Sequence, residues 1–191
     1  SLPRGAELND LLIADEAGEK VDQAKLTNMI DKRVVHVMEK QRWAGVDIAN
    51  DGEQGRVGFQ TYVPKRMHGF GGESKRPRPR DYTDFPTLLA QLPHRYPRRA
   101  KVSNAPQAIA EVRYEDLGPA EDECRMFRAA LGKLPSPPLA TFMTAASPGI
   151  IATTMLNAHY DSHEAYVFAL ARQMRKEYEL IVKSGFLLQL D

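Results

Sequence analysis

Two carboxylates in this sequence, those of Glu53 and Asp191, come at the ends of short apolar stretches. The hydroxyl of Ser147 comes at the end of a third such stretch. Carboxylates are strong acceptors for the ammonium group of a ligand, so both acids are candidates for a binding site. Each acid could equally be an ordinary turn or cap residue when it is considered alone. Their placement in the fold decides between the two interpretations.

Two further groups of residues could do chemistry. The basic stretch "SKRPRPR" (74–80) could contact a polyanion, although a solvated loop is the more ordinary interpretation. His159 and His163 have the i, i+4 spacing that can bind a metal ion on a helix. That spacing straddles the predicted start of a helix and no third ligand is evident, so a capping role is favoured.

The elements that must position these residues follow from the apolar periodicity. Apolar residues recur at helical spacing in three segments and form short continuous or alternating runs in four others. The predicted helices are 22–43, 121–134 and 162–183, and the predicted strands are 45–50, 106–114, 138–147 and 186–190. Alternating helices and apolar strands are typical of a parallel sheet covered by helices, as in a (β/α)8 barrel.

The ends of the helices carry recognisable signals. Asp22 is the predicted N-cap of the first helix, and Asp161 with Glu164 forms a capping arrangement for the last one. Gly185 is the predicted stop of that helix. Residues 64–104 are rich in proline, glycine and arginine, and we expect an irregular excursion there, interrupted by a short helix.

The carboxyl ends of parallel strands meet at one edge, where barrel enzymes place their active sites. Glu53, Ser147 and Asp191 all come at such strand ends. Their positions therefore fit a barrel site. An open doubly wound sheet would place them at the same edge, so the pattern does not choose between the two folds.

Bulk composition excludes several classes. The chain has 191 residues, a formal net charge of +1, 42% hydrophobic and 27% charged residues. That charge gives no global attraction to nucleic acid or an anionic membrane, and no apolar run approaches the roughly 20 residues of a membrane span. The single cysteine excludes an internal disulfide and a multi-thiolate metal site within the chain. The cytoplasm is the expected location, and both abrupt ends suggest a fragment of a longer protein.

Three separated motifs resemble the cobalamin-independent methionine synthase family, and in particular its short single-barrel branch. "SLPR" (1–4) resembles the Gly-Ser-hydrophobic-Pro turn after the family's first strand. "DGE" (51–53) and "QLD" (189–191) resemble the ends of its second and fifth strands. The segments 145–150 and 160–186 are also similar to that branch.

The resemblance implies a TIM barrel, of which this chain supplies about strands 2–5 as one partial domain, residues 1–191, with an insertion at about 64–104. It implies a zinc-dependent transfer of a methyl group to the thiol of homocysteine. The family's zinc ligands (His, Cys, Glu and Cys) belong to later strands, so this chain would contain no metal ligand or catalytic residue. The missing half of the barrel is then an expected partner.

The resemblance also assigns roles to single residues. Glu53 and Asp191 would hold the substrate ammonium, and Ser1 would bind its carboxylate. Lys75 and Arg76 fall approximately where the family contacts the tail of a folate donor. The family's Arg-Cys-Val-Lys-Pro-Pro sequence and its pterin-stacking tryptophan have no counterpart here, so the methyl donor stays open.

Two alternatives remain from the sequence. One is a related thiol alkyltransferase on the same barrel, such as an epoxyalkane:coenzyme M transferase. A sulfonate thiol would need cationic groups where Glu53 and Asp191 stand, so the two acids favour an amino-thiol. The other is a non-catalytic binding module that docks to a partner.

Overall fold

A computed structural model describes residues 2–77, 80–95 and 105–191, without the side chains of 59–61 and 92–95. The described chain is a mixed α/β fold, as predicted. Its helices are α1 (Ala6–Glu16), α2 (Gln23–Trp43), α3 (Phe59–Arg66), α4 (Arg80–Asp84), α5 (Pro86–Arg95), α6 (Gly118–Leu131), α7 (Pro148–Thr154) and α8 (His163–Lys183). No helix in this part of the chain is long and apolar enough to cross a membrane.

A three-stranded parallel sheet organises the molecule. Its strands are β1 (Ile48–Asn50), β4 (Ala140–Ala145) and β5 (Leu187–Leu190), in the order β1-β4-β5. These strands confirm three of the four predicted ones. Because β4 lies in the centre, its residues contact both the turn after β1 and the segment after β5.

The fourth predicted strand is correct in position and wrong in its pairing. Residues 106–114 contain β3 (Gln107–Tyr114), which pairs antiparallel with β2 (Met67–Gly71) in a separate two-stranded sheet. The described parallel sheet therefore has three strands and not the four of a strand 2–5 half-barrel. The reason is visible in β3, where buried and exposed residues largely alternate, as is usual in an antiparallel pair with one solvated face.

The excursion at 64–104 contains regular structure where it is described. Helix α3 ends there, β2 follows it directly, and α4 and α5 come after the loop. The prediction of an irregular segment with one short helix is therefore wrong for β2 and for the second helix.

Helices α2, α6 and α8 cover the sheet. Apolar side chains from all three pack with β4 in one cluster that includes Val34, Phe127, Met143, Ile181 and the aromatic Phe186 just before β5. The rings of Phe127 and Phe186 stack with their centroids 4.9 Å apart. This core holds the sheet rigidly, and with it the strand ends that carry the candidate residues.

The helix ends partly match the predictions. Asp22 caps α2 by accepting a hydrogen bond from the Lys25 amide at 3.0 Å, as predicted. The cap of α8 is Ser162, whose hydroxyl accepts from the Ala165 amide at 3.0 Å, and not Asp161. The helix begins at His163, so Ser162 occupies the cap position, and its backbone has the extended conformation that this position requires. Gly185, with φ +86°, turns the chain from α8 into β5.

Candidate functional site

Glu53 lies in a tight turn that directly follows β1. The Asn50 side chain accepts from the Gly52 amide, and the Asp51 side chain accepts from the Glu53 amide, both at 3.0 Å. Gly52 and Glu53 have φ values of +68° and +55°. Glu53 is the only non-glycine residue with positive φ in the described ranges. Such a conformation costs on the order of 1–3 kcal/mol and is characteristic of functional sites.

The segment at 2–4 fastens this turn. Arg4 donates to the carbonyl oxygens of Glu53 at 2.6 Å and Gln54 at 3.2 Å, and also to that of Arg56. Leu2 donates its amide to the Gly52 carbonyl at 3.0 Å, and the Gln54 side chain donates to the Leu2 carbonyl at 3.0 Å. These bonds connect residues about 50 positions apart and hold the strained turn in place.

The Glu53 carboxylate contacts the central strand. The hydroxyl of Thr144 donates to Glu53 Oε1 at 2.7 Å, and Thr144 is only 3% exposed. Partial burial of Glu53 would raise the pKa of its carboxyl, but the hydrogen bond from Thr144 and nearby positive charge, including Arg56, hold that pKa below its usual value. Glu53 is therefore ionised near neutral pH and able to accept from a cation.

Asp191 lies at the same edge, one residue beyond β5. Its amide donates to the Ala145 carbonyl at 3.1 Å, and its carbonyl accepts from the Ser147 amide at 2.8 Å. Its carboxylate accepts from the Gln189 side chain at 2.7 Å and is exposed. Consecutive residues of β4, Thr144 and Ala145, thus contact Glu53 and Asp191. The two acids therefore follow β1 and β5, on the two sides of β4, at one edge of the sheet, as the strand pattern predicts.

Ser147, the third predicted strand-end residue, is a helix cap. Its hydroxyl accepts from the Ile150 amide at 3.2 Å at the start of α7. Ser147 therefore organises the loop at the edge, and its hydroxyl oxygen is engaged in that role.

A buried group of charged residues lies behind the Glu53 turn. Arg56 donates to the Thr144 carbonyl at 2.8 Å and to its hydroxyl oxygen at 3.3 Å. Arg66 pairs with Glu123 at 2.6 Å and with Glu177 at 3.1 Å. Glu123 is also 3.8 Å from the Arg56 guanidinium. Alternating charges therefore run from Thr144 into the interior, where each is compensated by a partner.

Two tyrosines complete this group. Tyr62 donates to Glu177 at 3.1 Å and accepts from the Ala146 amide at 3.0 Å, and Tyr114 also bonds to Glu177. Burial, together with the charge of Glu177, raises the pKa of both tyrosines well above its usual range. They remain neutral donors, and Glu177 joins α8 to α3 and β3.

The turn also contains a second acid, Asp51, which is almost fully buried. Its burial raises the pKa of its carboxyl, although the charge of Arg56 opposes that effect. Asp51, Arg56 and Glu123 are among the polar residues that line a cavity of about 120 Å³ between α2 and α6. Glu53, Thr144 and Asp191 do not line this cavity.

The other predicted site residues are not brought to this edge. Ser1 lies outside the described residues. Lys75 and Arg76 are exposed in the loop after β2, a strand of the separate two-stranded sheet. His159 and His163 are also exposed, and Ser162 takes the capping role between them. Within the described ranges no three His, Cys, Asp or Glu side chains are grouped as metal ligands.

Sequence reasoning missed Thr144, Arg4 and Arg56. Arg56 stands inside the stretch "DGEQGR", and Arg4 inside "SLPR", so both motifs already contained a positioning cation. Thr144 carries no signal, because a threonine in a buried strand is ordinary.

Comparisons with known proteins identify the fold. No known protein-family profile matches the chain, and no curated protein does either. A solved structure of a B12-independent methionine synthase from Shewanella sp. W3-18-1, in complex with selenomethionine, is similar with a TM-score of 0.64 at 21% identity. The similarity covers 91% of this chain and 44% of that one.

A second solved structure, a putative vitamin-B12-independent methionine synthase from Listeria monocytogenes, has a TM-score of 0.65 at 17% identity. The similarity covers the whole of this chain and 49% of the Listeria chain. The predicted resemblance to cobalamin-independent methionine synthases is therefore confirmed at the level of the fold. The chain spans less than half the length of each structure.

Proposed function

We propose that this chain forms the amino-acid-binding part of a barrel enzyme that transfers a methyl group to the thiol of homocysteine. The observation that carries the proposal is the shared sheet edge, where Glu53 and Asp191 follow β1 and β5, the two strands that flank β4. The similar fold of the two methionine synthase structures supports it, and one of them was solved with selenomethionine, an amino acid.

In this proposal the two acids bind the α-ammonium of the substrate. Glu53 is ionised, partly shielded from water and held by Thr144, so its bond to an ammonium would be charge-assisted and strong. Asp191 is exposed and would complete the ammonium site from the β5 side. Ser1 remains the proposed contact of the substrate carboxylate.

A sulfonate thiol fits this edge less well. Its ligand group is an anion, whereas the side chains that follow β1 and β5 are acids. The nearby cations are engaged elsewhere, because Arg4 donates to turn carbonyls and Arg56 donates to Thr144. An amino-thiol is therefore the favoured substrate class.

Zinc would activate the substrate thiol by stabilising its thiolate. The described residues do not fit such a metal, since no three potential ligands are grouped in them. We propose that the metal is held by the rest of the barrel, outside this chain. A methylated folate is the proposed methyl donor, with Lys75 and Arg76 as contacts of its acidic tail.

The proposal is tested by Glu53→Gln in the intact polypeptide that carries this chain. We expect homocysteine to bind roughly ten- to more than a hundredfold more weakly, because a charge-assisted bond of about 1.5–3 kcal/mol is lost. An analogue without the amino group should bind as it does to the parent. Calorimetric titration with both ligands measures the difference.

The matched control is Glu111→Gln, which makes the same substitution at an exposed position of β3. It should leave both affinities unchanged. If Glu53→Gln binds homocysteine as tightly as the parent, Glu53 is a structural turn residue and the proposed function is wrong.

A further inference from the structure

The direction of the hydrogen bonds at Thr144 is determined by its neighbours. A guanidinium has only donors, so the Thr144 hydroxyl oxygen accepts from Arg56 at 3.3 Å. The single hydroxyl hydrogen is then available for the other close partner, Glu53 Oε1, at 2.7 Å. Thr144 therefore presents a donor, and not an acceptor, to the Glu53 carboxylate.

The donor is held rigidly. Thr144 lies in the central strand, where its residue pairs with Gln189 of β5, and only 3% of it is exposed. Arg56 is 6% exposed, and its guanidinium lies 5.3 Å from the centroid of the Tyr62 ring. Its second bond, to the Thr144 carbonyl at 2.8 Å, prevents it from turning away. The hydroxyl thus has one orientation, whereas a glutamate side chain by itself has several rotamers.

We propose that Thr144 is a positioning residue, whose hydroxyl, oriented by Arg56, keeps the Glu53 carboxylate in the single ionised orientation that receives a ligand ammonium. This inference rests on the proposed function and goes beyond it, because it names the residue that orients the Glu53 carboxylate before the ligand binds. The backbone of Glu53 is held by its turn and by Arg4, and Thr144 constrains the side chain. Because the carboxylate is already ordered in the free protein, ligand binding carries no further entropic cost for ordering it.

The test uses Thr144→Val, which keeps the shape and removes the hydroxyl, in the intact polypeptide. We expect homocysteine to bind about tenfold more weakly, the usual effect of losing one bond to a charged group. Binding of the analogue without the amino group should change less than about twofold. Thr144→Ser, which keeps the hydroxyl, should restore the affinity for homocysteine.

Two comparisons separate positioning from a general structural role. Thr141→Val, three residues earlier in β4, makes the same substitution away from Glu53 and should change neither affinity. In a Glu53→Gln background, Thr144→Val should add little further loss, because the two residues act through one interaction.

The outcomes are distinguishable. If Glu53→Gln leaves homocysteine binding unchanged, the proposed function fails. If Glu53→Gln weakens binding and Thr144→Val does not, only the positioning role is wrong. Equal weakening of both ligands by Thr144→Val also overturns it. Where the valine variant does not fold, Thr144→Ala replaces it with the same expected selectivity, and failure of both to fold makes Thr144 a structural residue and overturns the inference.

Discussion

The two acids at the sheet edge are held in different ways. Glu53 stands in a strained turn that Arg4, Asp51 and Thr144 hold through backbone and side-chain bonds. Asp191 follows the edge strand β5, and its exposed carboxylate contacts Gln189, two residues earlier. The Glu53 carboxylate is therefore held by a residue distant in the sequence, Thr144, whereas the Asp191 carboxylate is held by its near neighbour Gln189.

The two carboxylates differ in how strongly each can attract a charged ligand. A half-buried carboxylate interacts more strongly with a ligand charge than an exposed one does, because water screens the exposed group. The buried charges behind Thr144 add rigidity on the Glu53 side only. We therefore expect the β1 side to dominate binding.

The largest effect should come from Glu177→Ala, which tests whether the buried charges support the β1 side. Glu177 is 1% exposed and accepts from Arg66, Tyr62 and Tyr114, so its removal leaves buried donors without their acceptor. We expect the free energy of unfolding to fall by about 3–5 kcal/mol, as measured by denaturant titration. Glu179→Ala, two residues along the same helix on its exposed side, is the control and should leave stability nearly unchanged. A loss equal to that of the control would show that the buried network contributes no stability.

The second experiment compares the two acids directly. Glu53→Gln should weaken homocysteine binding by about 1.5–3 kcal/mol, whereas Asp191→Asn should cost only about 0.2–1 kcal/mol, the range of exposed ion pairs. The sequence motifs by themselves predict equal effects. Titration of both variants with homocysteine decides the matter, and a larger loss for Asp191→Asn would reverse the comparison.

The third experiment probes the strained turn through Gly52→Ala. Gly52 has φ +68°, and an added Cβ would lie 2.7 Å from Val37 Cγ1. Gly18, with φ +75° and nothing within 4 Å of an added Cβ, is a matched control for the backbone conformation alone. We expect Gly52→Ala to lower the free energy of unfolding by about 1 kcal/mol more than Gly18→Ala does. Equal losses would mean that the turn tolerates the extra methyl group.

The smallest effect should come from Asp51→Asn, which keeps the acceptor for the Glu53 amide. Burial raises the pKa of Asp51 in the folded protein, so the folded state binds this proton more tightly than the unfolded state does. Stability should therefore fall as the pH rises from the ordinary aspartate pKa of about 4 toward the raised folded value. Asp51→Asn should flatten the pH dependence of unfolding in that window. An unchanged profile would show that Arg56 fully compensates the buried charge.

The sequence by itself determined the positions of four of the five described strands and, within a few residues, where they end. Apolar runs flanked by glycine, serine and acidic residues defined the positions of β1, β4 and β5, because local side-chain periodicity and turn residues act over a few positions. The same local signals placed Asp22 at the start of α2 and put Glu53 and Asp191 at strand ends. The cap at Ser162 was missed by one residue, within the usual uncertainty of helix ends.

Only the tertiary structure decided what each strand pairs with and what each acid contacts. The bond between Thr144 and Glu53 joins residues 91 positions apart, and Arg56 reaches the same threonine across 88 positions. The antiparallel pairing of β3 with β2 likewise depends on where the chain returns after the excursion. A hydrogen bond over such a separation leaves no periodic trace in the sequence, because the packing of α2, α6 and α8 against the sheet brings its partners together.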